Sequence, residues 1–213
     1  MQVFHQYFDI FGEKVNRELY EMAIGHSEKF DLSKTSFSKL YPEWRKSKVI
    51  FDNLFTTYKL KIEKEILSRF PRILEVLEME KFSISSFEVQ LTSHNDGDYY
   101  RVHRDNKTPQ TIGRTITFVY YFYGIPRKFD GGELTIYNSI GEKNVIEPVN
   151  DSIVFFNSGT KHEVNMVHCP SKKFEDGRFT LNGWVRNREY NVPNQKYFGY
   201  NIFQPVSSTK RKI

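Results

Sequence analysis

The chain has 213 residues, of which 38% are hydrophobic and 16% aromatic, so it is long enough to bury one full core and we expect a single domain. Its net charge of +5 comes from 31 basic and 26 acidic residues that are scattered apart from the tail Thr209-Lys210-Arg211-Lys212, which does not predict a nucleic-acid partner. The lone Cys169 excludes an intramolecular disulfide, and without a signal-like or membrane-length apolar segment we expect a cytoplasmic protein and no membrane partner.

The first 80 residues show helical patterns. Hydrophobic residues at helical spacing predict an amphipathic helix over about residues 9–29, with Asp9 as its cap. Residues 31–50 read as an irregular connector carrying Trp44 and Arg45. Helical spacing returns over 54–67, and Pro71 is typical of the first turn of a further helix. We therefore expect residues 1–80 to form a helical segment that packs on a sheet.

From residue 82 onward the pattern changes to short strands separated by turn residues such as Asp130-Gly131-Gly132. The predicted strands are 83–92, 99–103, 114–122, 133–137, 152–156, 162–167 and 179–185. Seven or eight such strands predict a mainly β sandwich or jelly roll with buttressing N-terminal helices, an α+β arrangement. We place the core at 81–190 and a C-terminal tail at 191–213.

Three polar residues form a candidate metal site. His103 and Asp105 are two positions apart, so on a strand they face the same side, and His162 opens a later predicted strand. Two imidazoles and one carboxylate are the ligand set that holds non-heme Fe(II) and leaves positions open for a co-substrate and oxygen. Alone, His103 is more typical of a hydrogen-bonded histidine at a strand end. The rival triplet His94-Asn95-Asp96 runs into Gly97, and we predict a turn role for it.

The predicted strand near residue 180 has a polar face. Arg178, Thr180, Asn182 and Trp184 alternate and would all point inward. An unpaired buried guanidinium is costly, and a dicarboxylate ligand would remove that cost because arginine binds carboxylates bidentately. The alternative for Arg178 is a surface salt bridge to Glu175 or Asp176.

These features together resemble the 2-oxoglutarate and Fe(II)-dependent dioxygenase superfamily, and within it the prolyl 4-hydroxylase-like branch, over about residues 87–186. Thr117-Phe118-Val119-Tyr120-Tyr121-Phe122, Phe129-Asp130-Gly131-Gly132-Glu133-Leu134 and Val154-Phe155-Phe156 are similar to strands of that branch. One departure is Ser93, where some members carry a second tyrosine facing 2-oxoglutarate.

The resemblance implies a double-stranded β-helix, with Fe(II) held by His103, Asp105 and His162. It further implies that 2-oxoglutarate is bound by Arg178, Tyr121, Asn182 and Tyr100, with ascorbate as a possible reductant. For the substrate we predict contacts from Trp184, Tyr99, Arg45 and Trp44, and no catalytic residue beyond the metal ligands.

The implied activity is hydroxylation of an unactivated C–H bond by molecular oxygen, with succinate and carbon dioxide as co-products. The expected substrate is a prolyl residue in a peptide or protein, or a related amino-acid-like molecule. Three alternatives stay open: a hydroxylase of a small natural product, a nucleic-acid demethylase, and a non-catalytic β-sandwich binding module. A demethylase would carry a second arginine where this chain has Trp184. No oligomeric state is predicted.

Overall fold

Fourteen strands and two helices make up the residues that the computed structural model describes, which are 3–33, 43–50 and 53–188. The strands in chain order are β1 (Phe4–Tyr7), β2 (Asp31–Leu32), β3 (Arg45–Lys46), β4 (Lys48–Ile50), β5 (Ser86–His94), β6 (Tyr99–His103), β7 (Arg114–Phe122), β8 (Asp130–Gly131), β9 (Leu134–Tyr137), β10 (Lys143–Ile146), β11 (Ser152–Asn157), β12 (His162–Val164), β13 (Val167–His168) and β14 (Arg178–Arg186). The helices are α1 (Gly12–Gly25) and α2 (Thr56–Val76), and short 3-10 turns lie at Ser27–Lys29, Asn53–Phe55 and Phe174–Asp176.

Two antiparallel sheets carry the fold. The larger has seven strands in the order β1-β11-β7-β14-β5-β4-β2, and the smaller has five in the order β10-β9-β12-β6-β3. A two-stranded ribbon of β13 and β8 lies apart from both. The longest strands, β5, β7 and β14, are neighbours at the centre of the larger sheet, so this sheet supplies the main platform of the molecule.

Alternating residues of β7 divide the hydrophobic core into two layers. Ile116, Phe118, Tyr120 and Phe122 pack in one cluster with helical residues such as Leu19 and Ile66. Val119 and Tyr121 belong to a second cluster with residues of both sheets, including Leu134 and Phe156. Successive side chains of a strand point to opposite faces, so the helices cover the outer face of the larger sheet. The predicted mainly β fold with buttressing helices is confirmed.

The two helices differ from the prediction at their ends. Helix α1 starts at Gly12, and its first amides are capped by the Asp151 carboxylate, which accepts from Phe11 N at 2.9 Å and Gly12 N at 2.8 Å. Asp9 is therefore not the cap. Pro71 lies inside α2 and does not begin a new helix. The carbonyl that loses its partner there belongs to Leu67, which is 53% exposed, so that turn lies on the solvent side.

The N-terminal 80 residues also contribute strands, which helical spacing did not reveal. Strand β1 pairs with β11, β4 pairs with β5, and β3 pairs with β6. The prediction that residues 31–50 form an irregular connector was therefore wrong for the residues of β2, β3 and β4. Strand pairing joins residues distant in sequence, and strands this short carry little local pattern. Residues 34–42 and the predicted tail 191–213 lie outside the described residues.

Most of the predicted core strands were found. The bounds of β6 and β7 match the prediction, whereas the predicted strand 162–167 is divided into β12 and β13. No helix in the described part of the chain is both long and apolar enough to cross a membrane.

Candidate active site

The three predicted metal ligands meet between the two sheets. His103 ends β6, and its register partner on β12 is His162, so their ring centroids are 4.2 Å apart. Asp105 follows β6 and places its Oδ1 3.4 Å from His103 Nε2 and its Oδ2 3.4 Å from His162 Nε2. One ligand atom from each residue lies within 4.8 Å of the others, a spacing that suits a single metal ion.

Hydrogen bonds behind the cluster orient its ligand atoms. The Nδ1 of His103 lies 2.8 Å from the Arg101 carbonyl, and that of His162 lies 2.9 Å from the Thr160 carbonyl. Only a protonated Nδ1 can donate to a carbonyl, so each Nε2 keeps its lone pair facing the cluster. The Thr117 hydroxyl donates to Asp105 Oδ2 at 2.7 Å and fixes the carboxylate.

The cluster also has the protonation states that a metal needs. Burial alone would raise the pKa of Asp105, but in the metal-free site the adjacent His162 and His103, when they are protonated, hold it well below its usual range. Burial, together with His103, lowers the pKa of His162 to about 4, against the opposing effect of Asp105. An ionised carboxylate and a neutral imidazole are the forms that bind metal.

Arg178 lies in the same cavity and is 1% exposed. It lies opposite His94 on β5, and its Nη1 approaches His94 Nδ1 at 3.4 Å. No carboxylate in the described part of the chain forms a salt bridge with it. The alternative of a surface salt bridge is wrong, since Asp176 pairs with Lys128 at 3.4 Å and Arg178 is buried.

Two buried polar atoms of this region, Arg178 Nε and His94 Nε2, have no hydrogen-bond partner within the described structure, and the buried Tyr121 hydroxyl interacts with Arg178 itself. The Arg178 Cζ lies 4.9 Å from the Tyr121 ring centroid. Burial lowers the pKa of Arg178, with Tyr121 opposing that effect, yet the guanidinium stays charged because its ordinary pKa is so high. Unsatisfied donors beside a buried cation fit a carboxylate ligand.

The two glycines of the Asp130-Gly131-Gly132 turn allow close approaches, and Gly132 is the one that makes room for Arg178. Gly132 has φ +73°, and a Cβ there would lie 2.7 Å from Arg178 Cδ. Gly131 has φ +71°, and its Cβ would lie 2.2 Å from the Met166 carbonyl oxygen. The backbone therefore passes so close to Arg178 that a side chain at Gly132 would displace it.

A polar network covers the floor of the cavity between β5 and β14. Asn182 Oδ1 accepts from the Thr92 hydroxyl at 2.7 Å and from the Thr180 hydroxyl at 3.2 Å. Gln90 Nε2 in turn donates to the Thr92 hydroxyl at 3.3 Å. These bonds occupy the amide oxygen of Asn182 and leave its amide nitrogen to donate to a ligand. The predicted inward face of β14 is present, with Arg178, Thr180, Asn182 and Trp184 lining the cavity.

Aromatic rings form the walls nearest the cluster. The Tyr100 ring stacks on His103 at 3.5 Å, and the Arg45 guanidinium lies 4.8 Å from the Tyr100 centroid. Trp184 is covered by Arg114, whose Cζ lies 3.5 Å from the indole centroid, and its buried indole N–H interacts with the Asp105 carboxylate. Arg45, Tyr100 and Trp184 thus stand beside the metal ligands.

The cavity has a volume of about 430 Å³ and brings together most, but not all, of the predicted site residues. Tyr121 lies behind its wall, in the core beside Arg178. Trp44, which is 45% exposed, and Tyr99 do not line it. Both were predicted as substrate contacts, but Tyr99 precedes Tyr100 on β6 and so faces the opposite side of the sheet.

His94 is a cavity residue that the sequence reasoning missed. The predicted turn role holds for its neighbours, since Asp96 N donates to Asn95 Oδ1 and Asp98 N donates to the Asn95 carbonyl at 2.9 Å. It fails for His94, because β5 continues through this residue and directs it inward with Gln90 and Thr92. The alternation of polar residues at 90, 92 and 94 was the signal in the sequence.

Residues 89–186 match the family model of the 2OG-Fe(II) oxygenase superfamily. An uncharacterised PKHD-type hydroxylase of Synechocystis sp. is 38% identical to this chain over 182 residues, which are 81% of this chain and 59% of that protein. The chain therefore spans less than two thirds of the length of this curated relative.

Solved structures share the fold at lower identity. A Pseudomonas putida prolyl-4-hydroxylase superposes with a TM-score of 0.66 at 21% identity, covering 88% of this chain and 94% of that one. A Trichoplax adhaerens prolyl hydroxylase, in complex with a hypoxia inducible factor oxygen degradation domain peptide fragment, superposes with a TM-score of 0.68 at 17% identity. The match covers 88% of this chain and 84% of that one. The predicted jelly-roll, or double-stranded β-helix, fold is confirmed by this likeness.

Proposed function

We propose that the chain belongs to the 2OG-Fe(II) oxygenase superfamily, whose family model matches residues 89–186, and that it is a 2-oxoglutarate- and Fe(II)-dependent hydroxylase. Its substrate is a prolyl residue in a peptide or protein, or a related amino-acid-like molecule, and its co-products are succinate and carbon dioxide. The observation that carries the proposal is one cavity holding both a two-histidine, one-carboxylate cluster and an uncompensated buried arginine.

Each end of the co-substrate has a place in this cavity. His103, Asp105 and His162 would hold Fe(II), and Arg178, supported from behind the cavity wall by Tyr121, would bind the far carboxylate of 2-oxoglutarate. When bound, the metal and the keto acid supply the oxidising chemistry that hydroxylates an unactivated C–H bond. The protein fixes the ligands, keeps the co-substrate carboxylate in place and excludes bulk water from buried polar groups.

The prolyl substrate is supported by the relatives and not by a contact in the cavity. The two similar solved structures named above are prolyl hydroxylases, and one of them is described with a peptide bound. A non-catalytic β-sandwich binding module would be expected to have lost a metal ligand, whereas all three ligands are present and adjacent here. A nucleic-acid demethylase would carry a second arginine where this chain has Trp184. The nearby Arg186 does not replace it, because its guanidinium is paired with the Glu88 carboxylate.

The direct test incubates the protein with Fe(II), 2-oxoglutarate, ascorbate, isotopically labelled dioxygen and a panel of prolyl peptides and free proline. We expect succinate formation to rise with a substrate, and the substrate to gain one labelled oxygen atom. The control variant is Asp105→Ala, which lacks the carboxylate ligand and should form no product. Succinate that no prolyl compound stimulates, with no labelled product, would remove the prolyl assignment.

A further inference from the structure

Arg45 is a cationic residue of the cavity that the co-substrate site does not use. It belongs to β3, the edge strand of the smaller sheet, where its register partner is Tyr100. Its guanidinium lies 4.8 Å from the Tyr100 ring centroid, and that ring stacks on His103 at 3.5 Å. One aromatic ring therefore separates Arg45 from a metal ligand.

The backbone around Arg45 is firmly held. Arg101 N donates to the Trp44 carbonyl at 2.9 Å, and Arg101 Nε donates to the Glu43 carbonyl at 2.6 Å. On the other side, Lys46 Nζ lies 3.4 Å from Asp98 Oδ1. The strand that presents Arg45 is thus anchored before any ligand arrives, which lowers the entropy lost on binding.

The charge of Arg45 has no partner within the described residues. Its Nε donates to the Ser47 hydroxyl at 3.1 Å, and no described carboxylate comes within salt-bridge distance. Burial lowers its pKa, which Tyr100 and Asp105 oppose. Arg114, by contrast, is paired with Glu88, its Nε lying 3.1 Å from Glu88 Oε2. A partly buried guanidinium without a counter-charge attracts an anion.

The balance of charge in the whole cavity points the same way. The described cationic residues that line it are Arg45, Lys59, Arg104, Arg114 and Arg178, against the two carboxylates of Glu88 and Asp105. Fe(II) and the 2-oxoglutarate dianion cancel each other's charge. Lys59 is paired with Glu63, whose Oε1 lies 3.9 Å from its Nζ. With Lys59 left out and histidines counted as neutral, an excess of two positive charges remains after both have bound, and it favours an anionic substrate.

We propose that the substrate of this cavity carries a carboxylate and that Arg45 binds it. The inference rests on the proposed function, which assigns Arg178 to the co-substrate and leaves Arg45 to the substrate. The two arginines stand on different sheets, Arg178 on β14 of the larger and Arg45 on β3 of the smaller. The carboxylate is either that of the hydroxylated amino-acid unit itself or that of a neighbouring acidic side chain, and the probes below separate these sources.

The test measures binding by calorimetry to protein loaded anaerobically with Fe(II) and saturating 2-oxoglutarate. One matched pair of probes is N-acetylproline and N-acetylprolinamide, and the other is acetyl-Pro-Asp-amide and acetyl-Pro-Asn-amide. Hydrogen bonds to charged groups contribute about 1.5–3 kcal/mol, so we expect the acid of one pair to bind about 10- to 100-fold tighter than its amide. The pair that shows the preference identifies the source of the carboxylate.

Arg45→Met should abolish the preference for the acid while changing the Kd of 2-oxoglutarate less than twofold. Arg45→Lys, which keeps the charge without the planar fork, should retain part of it. Lys59→Met is the matched control, because it removes one positive charge from the same cavity and should leave most of the preference. The thermal unfolding midpoint of each variant checks that it is folded.

Several results would overturn the inference. Equal binding of acid and amide, or no binding of any probe, would show that the cavity has no carboxylate receptor. An equal loss of preference in Lys59→Met would show that the overall positive charge of the cavity, and not a contact with Arg45, produces the preference. A large rise in the 2-oxoglutarate Kd of Arg45→Met would place Arg45 in the co-substrate site. A wild type that binds no Fe(II) and 2-oxoglutarate would refute the proposed function as well, so the two failures are distinguishable.

Discussion

Arg178 on β14 lies directly opposite His94 on β5, and its Nη1 is 3.4 Å from the imidazole Nδ1. Burial, and then the nearby Arg178 and Arg45, hold the pKa of His94 well below its usual range. The imidazole is therefore neutral and accepts a hydrogen bond without cancelling the charge of the guanidinium. The cavity is thus prepared for an anion before the co-substrate binds.

Replacing Arg178 separates its role in binding from its role in folding. Arg178→Met removes a bidentate contact to a carboxylate, worth about 3 kcal/mol, so the Kd of 2-oxoglutarate should rise about a hundredfold. The same change removes an uncompensated buried charge, so the thermal unfolding midpoint of the ligand-free protein should stay the same or rise. Calorimetry and thermal unfolding measure the two effects. An unchanged Kd would show that Arg178 does not bind the co-substrate.

Gly132 is expected to act on the co-substrate through Arg178. Gly132→Ala places a Cβ 2.7 Å from Arg178 Cδ, so it should shift the guanidinium and weaken 2-oxoglutarate binding about tenfold, or about 1.4 kcal/mol. Gly141→Ala is the matched control, because Gly141 has a similar φ of +88° with nothing within 4 Å of its Cβ. Both variants should lose some stability from backbone strain. Equal Kd values in the two would refute the contact argument.

Thr117 should tune the affinity of the metal site. Its hydroxyl donates to Asp105 Oδ2 at 2.7 Å and lies 2.9 Å from the Ser158 hydroxyl. Loss of such a supporting hydrogen bond typically lowers metal affinity about 10- to 100-fold, and we expect this of Thr117→Val in an anaerobic Fe(II) titration. Thr115→Val is the control, since Thr115 lies on the same strand and donates to the Gly113 carbonyl. A metal Kd equal to that of the control would contradict the assignment.

The stability of the metal-free protein should depend on pH through His94. Its folded-state pKa lies well below the ordinary value of 6.5, so below pH 6.5 the unfolded chain binds a proton that the folded protein does not. Stability therefore falls as the pH falls, by up to about 1.4 kcal/mol per pH unit for one such group. His162, with a pKa of about 4, adds a second contribution of the same sign.

The slope of the unfolding free energy against pH should be smaller in His94→Gln than in the wild type between pH 6.5 and 5. The expected difference corresponds to about one proton, or about 1.4 kcal/mol per pH unit. Chemical denaturation at several pH values measures that slope, and His26→Gln is a control because this histidine lies at the end of α1, far along the chain from β5. A slope equal to that of the wild type would show that His94 is not buried as a neutral imidazole.

The parts of the site that the sequence predicted are those set by local periodicity. His103 and Asp105 share a strand face by their spacing, and the alternation of Arg178, Thr180, Asn182 and Trp184 predicted a polar inner face that the structure contains. The register that brings His162 opposite His103 needed the resemblance to a family, because strand pairing is not encoded locally.

The parts that the sequence missed depend on contacts between distant residues. The amides of α1 are capped by Asp151, about 140 positions away, and no local pattern indicates such a partner. His94 was assigned to a turn because its neighbours have turn composition, although the strand pairing with β14 extends to it. Arg45 was placed near the substrate, but its pairing with Tyr100 could not be read from the sequence.

The most direct test of the metal and co-substrate site is an anaerobic titration of the protein with Fe(II) and 2-oxoglutarate, following the visible charge-transfer band of the chelate. We expect a band in the wild type and in Lys59→Met, no band in His162→Ala, and a band in Arg178→Met that needs about a hundredfold more 2-oxoglutarate. Absence of a band in folded wild-type protein, or an equally strong band in His162→Ala, would contradict the assignment of this site.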